Sequence, residues 1–153
     1  MSRLRRFGFR GALGIGALLL VMQLVPYGRR HVNPATIAEP PWDSATTRML
    51  AKRACFDCHS NETRWPAYGG IAPASWLIQH DVDAGRAALN FSEWQRSERE
   101  AREAAEKVRE GEMPLAIYTF MHADARLTAE ERAALAQGLA KTVGNTRHER
   151  GDR

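Results

Sequence analysis

The sequence predicts a small all-α domain behind an N-terminal apolar segment. Three observations predict it. Apolar residues recur at helical spacing in four stretches, two of them opened by a capping box, and no stretch alternates as a half-buried strand would. The first thirty residues are arginine-rich and then apolar. Both cysteines stand in one short run, Cys55-Phe56-Asp57-Cys58-His59.

Residues 1–30 read as a signal or membrane anchor. "MSRLRRFGFR" is a basic start, and residues 11–25, "GALGIGALLLVMQLV", carry no charge. The span approaches the ~20 residues a membrane helix needs only when Phe9 and Tyr27 count at the interfaces. Four arginines before it and two after predict an inside N-terminus and an outside domain. "PYGRRHVNP" offers no small-x-small cleavage site, which favours an uncleaved anchor in the inner membrane with a periplasmic domain. A cleaved signal would give export without the anchor. Residues 31–42 hold Pro34, Pro40 and Pro41 and read as an extended tether. The domain proper is expected over 43–143, and residues 144–153 are expected to be a flexible tail.

Charge supports this division. Residues 1–30 have six arginines and no acid, whereas residues 31–140 have 12 basic and 16 acidic residues. The basic character belongs to the ends. With no basic, aromatic-interleaved stripe in the middle, a nucleic-acid partner is not expected.

Four helices follow. The first, about 43–55, is capped by Asp43 or Ser44, with Met49, Leu50 and Ala54 inward. The second, about 73–89, opens at Pro73 and carries Trp76, Leu77, His80 and Ala84 at helical spacing, with Gly85 weakening its second half. The third begins at the capping box "SEWQ" (Ser92 to Gln95), runs to Glu110 and stops at Gly111. Its stripe is Trp94, Ala101, Ala105 and Val108, and its charges pair as Glu98–Arg102 and Glu103–Lys107. The fourth, about 128–142, opens with "TAEE" and buries Ala134, Leu135, Leu139 and Val143. The segments between them read as loops with many aromatics: Trp65, Tyr68, Tyr118 and Phe120 need something to pack against.

Cys-x-x-Cys-His is the attachment signature of c-type haem. Each thiol adds to one haem vinyl group, and the histidine ligates the iron. Two intervening residues match the vinyl separation, and Phe56 and Asp57 are read as filling that gap. A redox dithiol would need a βαβ context, and structural zinc would need a second knuckle. The expected cofactor is therefore covalent haem c at Cys55 and Cys58, with His59 on the iron. Met113, in "GEMP" after a helix stop, is the leading second ligand, because a thioether favours ferrous iron. Met121, His80, His122 or no ligand at all are the alternatives. His31 and His148, in tether and tail, are set aside.

"CFDCHSNETRWPAYGGIAPASWLIQHDVDAGRAALNFSEW", then "GEMP", then "YTFMHADARLTAEE" resemble the bacterial haem-binding domain family, small proteins related to c-type cytochromes. The resemblance covers about residues 42–140. Its markers include Asn61, Trp65–Pro66, Pro73, Trp76, Gly85–Arg86, Asn90–Phe91–Ser92 with Trp94, and Met113–Pro114. It implies covalent haem at Cys55 and Cys58, His59 as proximal ligand, and a cytochrome-c-like helical fold around the haem. It suggests Met113 as distal ligand. It implies no physiological role. Trp65, Tyr68, Trp76 and Trp94 are candidate pocket walls or propionate donors beside their ordinary role as core aromatics.

A haem closed by His59 and Met113 makes an electron carrier rather than an enzyme, serving redox partners in the periplasm or membrane. The alternative is a haem sensor or peroxidase-like protein with an open or labile distal site, where His80 or His122 would supply acid–base chemistry.

Overall fold

The computed structural model describes residues 3–96 and 98–151, with side chains described over 8–95, at 101 and over 103–144. It is all-helical: α1 (Arg3–Met22), α2 (Ala45–Ala54), α3 (Phe56–His59), α4 (Ala74–Ala88), α5 (Glu98–Glu110), α6 (Ala116–Met121) and α7 (Ala129–Gly151). Among the described residues the sole β feature is an isolated bridge between Ala38 and Glu93. The chain forms two compact units, Met1–Val32 with Trp65–Asp81, and Asn33–Arg64 with Val82–Arg153.

In the first unit α1 exposes apolar side chains around its circumference, among them Phe9, Leu13, Ile15, Leu18 and Leu20. Its uncharged part is shorter than a spanning anchor. Arginines occupy its first third, and past Met22 the backbone tightens into three-residue turns, Gln23 to Leu20, Leu24 to Val21 and Val25 to Met22, before Pro26. No helix among the described residues is long and apolar enough to cross a membrane. Gln23, the polar residue in the apolar run, donates to the Ala72 carbonyl (2.9 Å) and accepts from the Ala72 N–H (3.1 Å). Gly28, at φ +79°, lies where a Cβ would strike the Ser75 carbonyl. His31 stacks on Trp65 with ring centres 4.7 Å apart.

The second unit holds the core. Segment 33–42 contains no helix and is bonded into this unit: Ile37 and Ala38 donate to the Ser92 carbonyl, and Trp94 donates to the Ala38 carbonyl. Ser44 caps α2 by accepting from the Thr47 N–H (3.2 Å). The inward face of α2 is Thr47, Leu50, Ala51 and Ala54, and Met49 is exposed. Helix α7 crosses α2 where Gly138 leaves room for the Thr47 side chain. The "TAEE" box forms as read, with Thr128 and Glu131 exchanging bonds at 3.0 and 3.2 Å. The buried face of α7 is Leu135, Ala136, Leu139 and Thr142, with Ala134 exposed and Val143 half-buried, and the helix runs past 142 to Gly151.

Helix α5 packs along α7 through Ala101, Ala105 and Val108, the stripe read from the sequence. It begins at Glu98, not Ser92. The Ser92 hydroxyl accepts from the Asn61 N–H (2.9 Å), so "SEWQ" caps nothing, and Trp94–Arg96 form a separate three-residue turn. The expected Glu98–Arg102 pair lies outside the described side chains, and Lys107 pairs with Glu112 (3.1 Å) instead of Glu103. Leu77, His80 and Ala84 of α4 are exposed, while Ser75, Val82 and Gly85 are buried. The stretch 111–127, expected to be loop, contains α6.

Glu39 fastens segment 33–42 to α2. Its carboxylate accepts from Arg48 Nε (2.7 Å), Arg48 Nη2 (2.6 Å) and Trp42 Nε1 (2.7 Å). The Arg48 hydrogen bonds, and then Trp42, hold Glu39 below the ordinary glutamate range against the opposing effect of burial. A carboxylate whose folded value is depressed stabilises the fold above its unfolded value and loses that contribution as pH falls through the folded one. Urea titrations of the full chain should therefore show stability falling below about pH 4.3, the ordinary glutamate value. Glu39→Gln should be less stable at pH 7 and shallower in its acid dependence, and parallel pH profiles would refute the assignment.

Candidate functional site

The five-residue motif is one tight turn between α2 and the polar segment that follows. Cys55 ends α2 by donating to the Ala51 carbonyl (2.8 Å), and its own carbonyl accepts from Cys58 (3.2 Å) and His59 (2.9 Å). Both cysteines are free thiols and half-buried. The two residues between them do more than fill a gap. Phe56, 1% exposed, packs against Phe91 (5.6 Å) and Trp42 (6.3 Å) and roots the turn in the core. Asp57 is buried and accepts from the Arg64 N–H (3.0 Å), Arg64 Nε (3.2 Å), Arg64 Nη2 (3.2 Å) and the Tyr118 hydroxyl (2.6 Å). Burial and that bond to Asp57 push the Tyr118 hydroxyl well above the ordinary tyrosine value, so it stays a donor.

A second framework holds His59. Its ring Nδ1 lies 3.1 Å from the Leu89 carbonyl, and its own carbonyl accepts from the Phe91 N–H (2.8 Å). A carbonyl can only accept, so Nδ1 carries the proton and Nε2 keeps its lone pair. Burial pushes the His59 pKa down, which keeps the ring neutral. A neutral imidazole whose far nitrogen donates to a backbone carbonyl is the usual state of a metal-ligating histidine. Segment 89–91 is itself clamped, because Asn90 donates to Asn61 Oδ1 (2.9 Å) and accepts from the Ser92 N–H (2.9 Å).

Cys55, His59 and Met113 line one pocket. Its accessible volume is about 170 Å³ and it opens to solvent, smaller than the ~300–1,000 Å³ usual for cofactor sites, so a haem held there would extend through the open mouth. Its walls are apolar, chiefly Leu89 and Phe91 on one segment and Ala104 and Val108 on α5. Met113 arrives there because Gly111, at φ +80°, ends α5, and the N–H groups of Glu112 and Met113 both return to the Lys107 carbonyl (3.0 and 3.2 Å). Cys58 is not part of the lining. Of the alternatives, Met121 is exposed, His80 is exposed, and His122 stacks on Tyr118 (4.4 Å). None of the three lines the pocket. Neither do Trp65, Tyr68, Trp76, Trp94, Tyr118 or Phe120, so the walls are not the aromatics singled out in the sequence. Phe91 takes that part, inside the marker Asn90–Phe91–Ser92.

The surroundings suit a cofactor better than a reactive dithiol. Burial, and then Cys58, push the Cys55 thiol up to about 12, whereas redox-active thiols sit in settings that lower the value. Among the described residues no group of three or more histidine, cysteine or acidic side chains is arranged to hold a metal ion by itself. The free thiols, the uncommitted Nε2 of His59 and the apolar pocket fit a haem.

Gly85 explains how α4 comes so near the motif. A Cβ there would lie 3.0 Å from Cys58 Cβ and 2.9 Å from the Cys58 carbonyl carbon, and would strike the carbonyl oxygen. The sequence marked Gly85 only as a weak point in a helix. Gly→Ala within a helix ordinarily stabilises by about 0.5–1 kcal/mol. Gly85→Ala should instead destabilise the full chain by about 1–3 kcal/mol, the usual cost of overpacking. A urea midpoint at or above wild type would show that Cys58 yields easily.

The profile of the haem-binding domain family matches residues 17–141, most of the chain. No curated protein and no solved structure gives a significant match. The matched range contains the motif turn, the 89–91 clamp, Gly85 and Met113, and the chain belongs to the haem-binding domain family.

Proposed function

We propose that this haem-binding protein carries haem c, attached through Cys55 and Cys58, and works as an electron carrier. The observation that carries the reading is the pocket shared by Cys55, by a neutral His59 with Nε2 uncommitted, and by Met113. Haem supplies one-electron redox chemistry at iron, with a potential tuned by its axial ligands and burial. In this reading the Cys55 and Cys58 thiols would hold the haem through thioether bonds. His59 would offer Nε2 to the iron, its ring held in one tautomer by the Leu89 carbonyl. Met113 would offer its thioether sulfur to the iron from a loop braced on Lys107. Leu89, Phe91 and Val108 would give the haem an apolar wall.

The location belongs to the same proposal. The arginines in the first turns of α1, ahead of its exposed apolar stretch, support export to the periplasm and attachment at the inner membrane. Redox proteins of the periplasm or membrane are the partners this implies.

The test is a visible spectrum of the full chain produced in cells that mature c-type haem, recorded reduced with and without carbon monoxide. The expected result is a low-spin spectrum indifferent to the gas and a haem that stays with the denatured chain. Met113→Ala should make it responsive to carbon monoxide, and replacing both cysteines by serine should release the haem on denaturation. A wild-type spectrum that shifts with carbon monoxide would overturn the closed, electron-carrying site and favour the sensor or peroxidase-like alternative.

A further inference from the structure

We infer that the hydrogen bond from Tyr118 to Asp57 positions Met113 at the haem pocket, making Asp57 and Tyr118 positioning residues for the distal ligand. The inference rests on the His59/Met113 reading above.

Met113 sits in a short connection between α5 and α6. Upstream it is secured by backbone bonds to the Lys107 carbonyl. Downstream it continues through Pro114 into α6, a helix of six residues that buries none of them. Ile117, Phe120 and Met121 are exposed, so apolar packing does not place α6. What reaches it from the motif turn is polar. Tyr118, five residues after Met113, donates to Asp57 Oδ2 at 2.6 Å. Arg64, which spans the same carboxylate, also reaches Asp124 Oδ2 (3.0 Å) in the turn after α6. That turn buries Ala125. The downstream side of the Met113 connection is thus tied to a carboxylate that stands between the two attachment cysteines.

The geometry gives Asp57 a reason to be buried where an apolar residue would cost less. A buried carboxylate needs hydrogen bonds to nearly all its lone pairs, and here four donors supply them. The hydroxyl–carboxylate bond is charge-assisted and strong for its kind. It links the segment that would hold the haem covalently to the segment that would close its other face. Loosening it should free Met113 without touching Cys55, Cys58 or His59.

The test uses the full chain matured with haem. Tyr118→Phe keeps the ring on His122 and removes only the hydroxyl. Carbon monoxide binding to the reduced protein, and the sulfur-to-iron charge-transfer band of the oxidised protein, are measured for wild type, Tyr118→Phe, Asp57→Asn and Met113→Ala. Glu39→Gln serves as a variant destabilised away from the pocket. Tyr118→Phe should bind carbon monoxide about tenfold more tightly than wild type, the effect of losing one hydrogen bond to a charged group, and its charge-transfer band should weaken. Asp57→Asn should move the same way, and Glu39→Gln should match wild type in both readouts. Tyr118→Phe indistinguishable from wild type, while Met113→Ala opens the site, would overturn the positioning role and leave the ligation intact. Loss of haem loading in Tyr118→Phe with unchanged distal ligation in what remains would assign the bond to folding, overturning it also. A wild type that binds carbon monoxide as Met113→Ala does would overturn the ligation, and this inference with it.

Discussion

The bond between His59 Nδ1 and the Leu89 carbonyl is the constraint on which the site depends. It commits one ring nitrogen, leaves the other available, and fixes the imidazole against segment 89–91. For that carbonyl to arrive, α4 must run close enough to the motif that only a glycine fits at position 85. The same segment returns a second bond, from Phe91 N–H to the His59 carbonyl, and sends the Phe91 ring between Trp42, Phe56 and Trp94. One approach of two chain segments thus fixes the imidazole, a wall of the pocket it lines and the aromatic centre of the core.

Much of the rest is organised by polar side chains, because regular structure is sparse around the motif. Asn61, Asn90 and Ser92 satisfy one another and the backbone between them. Arg86 donates to the Ser60 carbonyl and the Thr63 hydroxyl, and Thr63 donates to the Asp57 carbonyl. Buried amides without a helix or sheet ladder need such partners. The family markers around the motif, Asn61, Arg86 and Ser92, therefore act as braces of a loop-rich framework.

The apolar core is narrow. Helix α5 contributes two alanines and a valine to it, and α7 two leucines and an alanine. A cavity opens within this same group of residues, at Leu89, Phe91, Val108 and Leu139. A flat apolar cofactor there would extend the core, so that loading and stability would rise together.

The sequence by itself determined the helical class, the Ala101, Ala105 and Val108 stripe of α5, Leu135 and Leu139 on the buried face of α7 and the "TAEE" cap, because each is written within a few residues. It also marked Met113, since a glycine stop and a proline are local signals. Only the tertiary structure decided that Ser92 braces Asn61 instead of capping a helix, that Gly85 is a point of close approach, and that Phe91 rather than the loop tryptophans walls the pocket. It also decided which of Met113, Met121, His80 and His122 reaches that pocket. Asp57 read as a spacer for the same reason: its partner Tyr118 lies 61 positions away. A side chain's donors and neighbours across such separations depend on how helices cross, and no local pattern carries that information.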